Sequence, residues 1–351
     1  MNNDWLDIPA MTINENFRSK AQHRQSILTK PPGALGELEN IAITLATLQM
    51  TERPAANNIH IVIFAGDHGV AEEGVSAFPQ SVTVEMIRNF AAGGAAISVL
   101  ARALNAPLEV INMGTVSDPG AIEGVMTTSQ GAGTCNFVKT AAMTVEQLYR
   151  SLSVGRQSAE RAKNNQSDIF IAGEMGIANT TSATAIACAL LNIKPALITG
   201  PGTGLDQKSV AHKADVIARG LQQHDGHLSD PLEVLRRLGG FEIAALTGSY
   251  IASAQMGLPV VVDGYIASVA ALLAVKLQKD VSNWLLFAHA SAEPGHATIM
   301  QALNAKPVLN LGMRLGEGSG AAVAIPVLRL ACTLHNDMSS FADANVSEKN
   351  D

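Results

Sequence analysis

The sequence predicts an α/β fold with a parallel sheet that carries helices on both faces. From residue 59 onwards, short runs of β-branched and aliphatic residues alternate with segments of helical periodicity. These runs are apolar at almost every position, which is typical of parallel strands buried on both faces. With 351 residues, 47% hydrophobic and 16% charged, the chain is long and apolar enough to bury such a sheet.

The first fifty residues are predicted to be helical and separate from the sheet. Residues 12–28 form a mixed polar helix that ends before Pro31 and Pro32, because proline does not continue a helix. An amphipathic helix follows, with leucine and isoleucine at helical spacing over residues 35–48. The polar stretch 51–58 then marks a domain boundary.

Five strands are predicted, and each is followed by a glycine-containing or polar loop. They cover residues 59–64, 108–111, 169–172, 260–262 and 285–287. In parallel sheets of this class, ligands bind beyond the carboxyl ends of the strands. That edge collects the polar residues Asp67, His68, Glu174, Asp263, Ser291 and Glu293. We therefore expect the functional site at this edge.

The helices between the strands carry clear start signals. Thr144 and Gln147 form a capping box that opens a helix ending near residue 163. Residues 229–233 supply a cap for another helix, together with a proline near its first turn and acidic residues there. Both signals support the alternation of strand and helix.

Composition and charge exclude several classes of partner. The net charge is −7 and no basic run exceeds two residues, so a nucleic-acid backbone would be repelled. The longest apolar stretch, residues 266–275, is about half of the ~20 residues that a membrane span requires, and it predicts a buried helix. The N-terminus has neither the basic start nor the apolar core of a signal peptide. We expect a cytoplasmic protein that binds neither nucleic acid nor membrane.

Metal binding is not expected either. The cysteines Cys135, Cys188 and Cys332 are far apart and show no metal-ligand spacing. Asp67 and His68 do not supply the three convergent ligands that a catalytic metal needs, and the histidines at 224 and 227 lie in a polar loop where solvation accounts for them. We therefore expect no metal and no other cofactor.

Residues 173–181 combine glycine with small polar residues where a strand leads into a helix over residues 182–191. Free N–H groups and the helix dipole favour an anion at such a helix start, and a phosphate monoester is the obvious ligand. Glu174 would repel a phosphate and fits ribose hydroxyls better. The alternative is that residues 179–182 only cap the helix.

The glycine-rich run 200–204 is a second candidate loop for an anion. It lacks the G-x-G-x-x-G pattern because Leu205 occupies the last glycine position, which excludes the dinucleotide-binding fingerprint. Lys213, on the predicted helix 206–221, is in reach of the same phosphate. The alternative for Lys213 is a solvated helix lysine.

One carboxylate, Glu317, stands among three glycines in the heptapeptide 314–320. Glycine permits a tight turn that aims this side chain, and Ser319 is a candidate N-cap for an apolar helix over residues 321–334. A carboxylate just before a helix and beside apolar sequence is a candidate general base. The alternative is an ion pair with Arg314, three residues back.

Four separated motifs resemble one known family. They are KPPGALG at 30–36, GDHGVAEEGV at 66–75, GEMGIANTT at 173–181 and RLGEGSG at 314–320. Together they resemble the nicotinate-nucleotide–dimethylbenzimidazole phosphoribosyltransferases, the CobT family, over almost the whole chain. The resemblance implies transfer of 5-phosphoribose from nicotinate mononucleotide to 5,6-dimethylbenzimidazole in the assembly of the cobalamin lower ligand. The products would be α-ribazole 5′-phosphate and nicotinate.

The resemblance also implies an architecture and a set of site residues. A Rossmann-like large domain would span residues 56–305, and a small helical domain would combine residues 1–55 with 306–351, in a homodimer with sites near the interface. Glu317 would be the general base, with a pKa raised by burial beside Leu315 and other apolar side chains. The other implied site residues are Gly176, Ala178, Asn179, Thr180 and Lys213 for the phosphate, and Glu174, Asp263 and Ser291 for the ribose and nicotinate, with Glu174 a second catalytic candidate and Met175 a further contact.

Two positions depart from the family pattern. Phe78 and Met86 stand where enterobacterial members have serine and glutamine in contact with the base. An apolar pair removes polar contacts, so the acceptor of the phosphoribosyl group remains open between dimethylbenzimidazole, another benzimidazole, adenine and a phenol.

Two other functions also remain open. One is an NAD-dependent oxidoreductase, although residues 65–69 are not its glycine fingerprint, and the other is a non-catalytic nucleotide-binding regulator.

Overall fold

The structure is a computed structural model that describes residues 4–202 and 204–347. Residue 203 of the predicted loop 200–204, and the outermost residues of both predicted chain-end segments, lie outside these ranges. The strands are β1 Ile59–Gly66, β2 Leu108–Gly114, β3 Val125–Thr127, β4 Ile169–Met175, β5 Val260–Val262 and β6 Leu285–Phe287. They form one parallel sheet in the order β3-β2-β1-β4-β5-β6.

The predicted parallel α/β fold is therefore confirmed. The chain moves outward from β1 to β3, returns to place β4 beside β1, and moves outward again to β6. The order therefore reverses between β1 and β4, which is the usual place for a ligand in such sheets. Every residue of β1 is buried, so helices cover both faces of the sheet at its centre.

The α-helices cover about half of the described residues. They are α1 Glu15–Ile27, α2 Glu37–Leu48, α3 Ser81–Ala92, α4 Ala96–Leu104, α5 Val145–Asn164, α6 Asn179–Leu191, α7 Gln207–Gln223, α8 Pro231–Leu238, α9 Phe241–Met256, α10 Tyr265–Leu277, α11 His296–Ala302, α12 Ser319–Asp337 and α13 Phe341–Ala344. Helix α9 contacts β1, β2, β4 and α5, whereas α12 contacts β4, α2 and α4.

The five predicted strands are all present, and β3 is an additional one. It has only three residues, and its Met126 is 43% exposed, so its sequence lacks the buried apolar run of the other strands. The predicted helix starts also hold. Thr144 and Gln147 form the expected capping box, and the side chain of Asp230 accepts the N–H of Leu232.

The two chain ends are in contact with each other. Helix α2 contacts both α1 and α12, and Leu28 forms an isolated β-bridge with Ser340. The guanidinium of Arg24 donates to the carbonyl of Met338 at 2.6 Å. The division into residues 56–305 against 1–55 and 306–351 stays a prediction.

Within the described residues, the stretch Ser81–Leu104 is long and apolar enough to cross a membrane by length and composition, with a mean hydropathy of 1.2. The structure divides this stretch into α3 and α4. Gly93, at a φ of 82°, ends α3 in the left-handed region, and α4 begins only at Ala96. Two short helices with a break between them are weak evidence for a membrane span.

Candidate active site

The carboxyl ends of β4, β5 and β6 open into a cavity of about 360 Å³. Most of the predicted site residues line it. They are Phe78, Met86, Glu174, Met175, Gly176, Asn179, Thr180, Asp263, Ser291, Leu315 and Glu317. Ala178 and Lys213 are predicted site residues that do not line it. The structure thus brings together residues that are more than 200 positions apart in the chain.

Glu317 enters the cavity from a turn of unusual backbone geometry. Gly316, Glu317 and Gly318 have φ values of 88°, 62° and 74°, a left-handed conformation that costs energy for any residue with a β-carbon. The turn packs directly on β4, because a β-carbon on Gly173 would overlap with the carbonyl group of Glu317. Glycine at position 173 therefore allows the turn to approach the sheet.

Asp263, at the end of β5, supports the same turn from the side. Its carboxylate accepts the N–H of Gly318 at 3.1 Å and the N–H of Ala321 at 2.9 Å. The prediction that Ser319 caps α12 is wrong. Gly318 occupies the N-cap position, and Ser319 is the first helical residue. Asp263 satisfies the free N–H groups at this helix start in place of a local cap.

The carboxylate of Glu317 is buried and has a free oxygen among its described contacts, two properties that suit a general base. It is 6% exposed, and its Oε2 has no hydrogen-bond partner among the described residues. Burial raises the pKa of Glu317, the N–H of Ile97 opposes this rise, and the charge of Asp263 adds to it. The alternative pairing with Arg314 is wrong, because that guanidinium donates to the carbonyl of Gly202 at 3.0 Å.

The source of this burial differs from the expectation. Leu315 was expected to help bury the Glu317 side chain, but it is itself 58% exposed at the cavity rim. The turn is covered instead by its packing against Ile171 and Gly173 of β4. The expected direction of the pKa shift holds and burial is its largest cause, but Leu315 does not provide that burial.

Glu174 lies opposite the Glu317 turn at the end of β4. It is 6% exposed, and the side-chain amide of Asn179 donates to its Oε2. Its Oε1 lies within 2.6 Å of where a β-carbon on Gly316 would stand. Burial and the neighbouring carboxylates raise the pKa of Glu174 to about 8. Glu174 therefore carries a proton at neutral pH and can donate a hydrogen bond to a hydroxyl oxygen.

The other end of the cavity is built on the start of α6. Ala178 is the N-cap of this helix and has a φ of 75°. Lys213 is 1% exposed, and its Nζ donates to Thr180 Oγ1 at 2.8 Å and to the carbonyl of Gly200 at 3.4 Å. The alternative of a solvated helix lysine is therefore wrong. Burial lowers the pKa of Lys213 to about 8.

Comparison with known proteins shows the family. A family model described as "Phosphoribosyltransferase" matches residues 10–346. The nicotinate-nucleotide–dimethylbenzimidazole phosphoribosyltransferase of Pseudomonas aeruginosa (strain LESB58) is 55% identical over 349 residues, which cover 99% of each chain. The chain belongs to the nicotinate-nucleotide–dimethylbenzimidazole phosphoribosyltransferase family. The protein of that name from Xanthomonas oryzae pv. oryzae (strain PXO99A) is also 55% identical, over 99% of this chain and 100% of its own.

Solved structures agree with this family assignment. The crystal structure of CobT from Thermus thermophilus superposes with a TM-score of 0.91 at 40% identity, covering 95% of this chain and 100% of that chain. A second crystal structure, of the nicotinate-nucleotide–dimethylbenzimidazole phosphoribosyltransferase from the same organism, superposes with a TM-score of 0.90 at 39% identity, covering 96% and 100%. The chain is thus a phosphoribosyltransferase over its whole length.

Some residues of this phosphoribosyltransferase site were not assigned from sequence. Tyr265, His289 and Arg314 also line the cavity, as does Glu293, which was expected at this edge of the sheet without a role of its own. His289 follows a predicted strand, which is the signal that could have found it. Arg314 carried no such signal, because its position depends on how the turn before α12 folds back over the cavity.

Asp67 and His68 of the GDHGV motif do not line the cavity but contact the elements around it. His68 is fully buried, with Nε2 at 2.6 Å from Glu242 Oε1 and Nδ1 at 2.8 Å from Ser182 Oγ on α6. Asp67 accepts the hydroxyl of Thr83 at 2.6 Å. These contacts join α6 to α9 and β1 to α3 behind the cavity.

The histidine loop after α7 also differs from the expectation. The interpretation of His224 as a solvated residue is wrong. It is 2% exposed, and its Nε2 lies 2.9 Å from the carbonyl oxygen of Phe137. His227 is exposed, as expected. Within residues 4–202 and 204–347, no group of three or more His, Cys, Asp or Glu residues is placed to hold a metal ion.

Proposed function

We propose that the protein transfers 5-phosphoribose from nicotinate mononucleotide to 5,6-dimethylbenzimidazole and releases nicotinate and α-ribazole 5′-phosphate. Full-length similarity to enzymes named for these substrates supports the proposal. The observation that carries it is the buried Glu317 carboxylate, which lacks a partner at Oε2 among the described residues and faces a cavity of about 360 Å³. Such a group is suited to take a proton from an aromatic N–H.

The two ends of the cavity suit the two substrates. Phe78 and Met86 supply apolar surface near one end, which favours a flat aromatic base. Thr180 and the buried Lys213 lie at the start of α6, where N–H groups, the helix dipole and an ammonium favour a phosphate. Gly176, Ala178 and Asn179 belong to the same phosphate-binding segment. Met175 and Leu315 are proposed contacts of the substrates between these ends.

The proposed reaction needs one general base and no general acid. A benzimidazole nitrogen uses its lone pair to form the new bond to the anomeric carbon of the ribose. The bond from that carbon to the pyridinium nitrogen breaks, and its electron pair neutralises the departing nicotinate ring. The benzimidazole would become a cation, but Glu317 takes the proton from its other nitrogen and later releases it to solvent. No acid is needed for the leaving group.

The remaining polar groups are proposed to orient the ribose and nicotinate. The protonated Glu174 would hydrogen-bond a ribose hydroxyl, because a neutral carboxyl both donates and accepts. Asp263 and Ser291 would complete this region. Inversion at the anomeric carbon fits one displacement through an oxocarbenium-like state.

We further propose that the enzyme is a cytoplasmic homodimer with sites near the subunit interface. Phe78 is 50% exposed and Leu315 is 58% exposed at the cavity rim, and a second subunit would cover such apolar surface. Sedimentation at micromolar concentration tests this assembly. A monomer at all concentrations would contradict it.

The test of function is product analysis. The purified protein is incubated with nicotinate mononucleotide and dimethylbenzimidazole, and chromatography measures nicotinate and α-ribazole 5′-phosphate. We expect both products in equal amounts. Binding of the nucleotide without nicotinate release would instead favour a non-catalytic regulator. Competition among dimethylbenzimidazole, benzimidazole, adenine and a phenol then reports the acceptor that Phe78 and Met86 favour.

A further inference from the structure

The phosphate end of the cavity contains a carboxylate with no role in the proposed reaction. Glu293, from the loop after β6, lines the cavity and is 7% exposed. A β-carbon on Gly200 would collide with its Oε2, and it accepts the N–H of Gly202. Its Oε1 has no hydrogen-bond partner among the described residues. A buried carboxyl group with an unpartnered oxygen therefore lies against the loop that borders the phosphate end.

Two cations bind the same loop. Lys213 Nζ lies 3.4 Å from the carbonyl of Gly200, and Arg314 donates to the carbonyl of Gly202 at 3.0 Å. Both cations lower the pKa of Glu293, whereas burial raises it and prevails. Tyr265 on α10 also faces Glu293, and its hydroxyl donates to Thr184 at 3.1 Å.

These surroundings are those that a phosphate monoester requires. An ammonium, a guanidinium and backbone N–H groups are the usual partners of phosphate oxygens. In the unliganded protein, the Glu293 carboxylate interacts electrostatically with Lys213 and Arg314, the two cations that a phosphate would also use. A phosphate dianion that enters beside an ionised Glu293 would meet strong like-charge repulsion in a site of low dielectric constant.

We propose, on the basis of the proposed function, that Glu293 acts as an internal anion in the phosphate subsite and that phosphate binding adds one proton from solvent to its carboxylate. The protonated Oε1 then donates a hydrogen bond to a phosphate oxygen. Charge balances because the incoming dianion replaces the carboxylate charge as the partner of Lys213 and Arg314. Affinity for phosphate esters therefore falls as pH rises above the pKa of Glu293 in the unliganded protein.

Calorimetry of the wild-type protein measures this proton directly. Nicotinate mononucleotide is titrated at pH 7 in two buffers with different ionisation enthalpies, and nicotinate riboside serves as the phosphate-free control. We expect uptake of about one proton for the nucleotide and none for the riboside. Lys213 contributes only a small part of this uptake, because its pKa of about 8 leaves it mostly charged at pH 7. Uptake as low as that of the riboside would overturn the proposal.

A matched pair of variants gives an independent test. Glu293→Gln removes the charge and keeps the shape, whereas Glu293→Asp keeps the charge. At pH 7, where Lys213 is mostly charged, we expect Glu293→Gln to bind the nucleotide about tenfold more tightly, with the riboside affinity within about twofold and the proton uptake lost. Glu293→Asp should bind no more tightly than wild type. Equal changes for nucleotide and riboside, or no change for either, would contradict the role of Glu293.

The two proposals fail in different ways. Nucleotide binding without proton uptake would overturn the role of Glu293 and leave the transferase function intact. Proton uptake with no nicotinate release in the presence of dimethylbenzimidazole would overturn the transferase function and leave the role of Glu293 intact. If neither nicotinate mononucleotide nor ribose 5-phosphate binds, both proposals are wrong.

Discussion

The carboxylate of Asp263 accepts the backbone N–H of Gly318 at 3.1 Å, and Gly318 directly follows Glu317 in the chain. The second oxygen of Asp263 accepts the N–H of Ala321 at 2.9 Å in the first turn of α12. The side chain of Asp263, which directly follows β5, therefore holds the turn that carries Glu317 and places a carboxylate at a helix N-terminus, where a negative charge is stabilising.

Loss of this carboxylate should loosen the Glu317 turn. In Asp263→Ala, two buried N–H groups lose their acceptor, at a cost of about 1–3 kcal/mol each. We expect a lower free energy of unfolding in urea and a fall in kcat larger than the change in KM for the nucleotide. Asp263→Asn retains one acceptor oxygen and should fall between Asp263→Ala and wild type. Ser291→Ala, in the same cavity, is the control, and Asp263→Ala would disprove the supporting role if it matched this control in stability and turnover.

Glu317 should be essential for turnover and dispensable for folding. Glu317→Gln keeps the shape and removes the base, so we expect kcat to fall by about 10²–10⁴ with nucleotide affinity nearly unchanged. Glu317→Gly should be as inactive and should unfold within about 1 kcal/mol of wild type, because glycine adopts the φ of 62° without strain and this gain offsets the loss of the acceptor for the N–H of Ile97. Nicotinate release and urea unfolding measure the two effects. Turnover of Glu317→Gln close to that of wild type would rule out the general base.

The location of the site was predictable from the strands in which every residue, or almost every residue, is buried. Strands β1 and β4 are buried on both faces, so their apolar runs identify them, and the edge at which they end follows from the parallel fold. The half-exposed β3 has no such pattern. Local sequence also indicated the strand-to-helix turn that carries Glu174 and the glycines around Glu317.

Features that depend on distant partners were not predictable. Ser319 is a better local cap than glycine, yet the cap comes from Asp263, which is 55 positions from Gly318. Lys213 has a polar helix sequence around it, yet its side chain is buried, with its ammonium group in contact with Thr180 and the carbonyl of Gly200. Such contacts arise from tertiary packing, which residue spacing does not encode.

Glu174 should make the protein less stable as pH rises. Its pKa is about 8 in the folded protein against 4.5 for an ordinary glutamate, so the folded state binds more protons between these values. The free energy of unfolding should therefore fall from about pH 5 to pH 8, by an amount on the order of a few kcal/mol. Urea unfolding of wild type and Glu174→Gln across this range measures it. We expect a flatter profile for Glu174→Gln, and parallel profiles would contradict a buried neutral Glu174.

Lys213 should contribute to nucleotide affinity far more than to base affinity. Lys213→Met fills the same buried space without the ammonium and leaves Glu293 without one of its two cations. We expect the Kd for nicotinate mononucleotide to rise by about tenfold or more, with the Kd for dimethylbenzimidazole within about twofold. Lys208→Met, at an exposed position of the same helix, is the control and should bind both ligands like wild type. Equal weakening of both ligands by Lys213→Met would argue against a phosphate contact.

Gly173 should control the distance between β4 and the Glu317 turn. In Gly173→Ala, the added methyl group would overlap with the carbonyl group of Glu317 and the N–H of Gly318, so the turn must move away from the sheet. We expect kcat to fall by about 10-fold to 100-fold, because a displacement of about 1 Å at a reacting group is costly, with a smaller change in nucleotide Kd. Gly66→Ala is the matched control at the end of β1, where the nearest atom to the new β-carbon is 3.4 Å away. If Gly173→Ala and Gly66→Ala turn over at the same rate, close packing of the turn on β4 does not position Glu317.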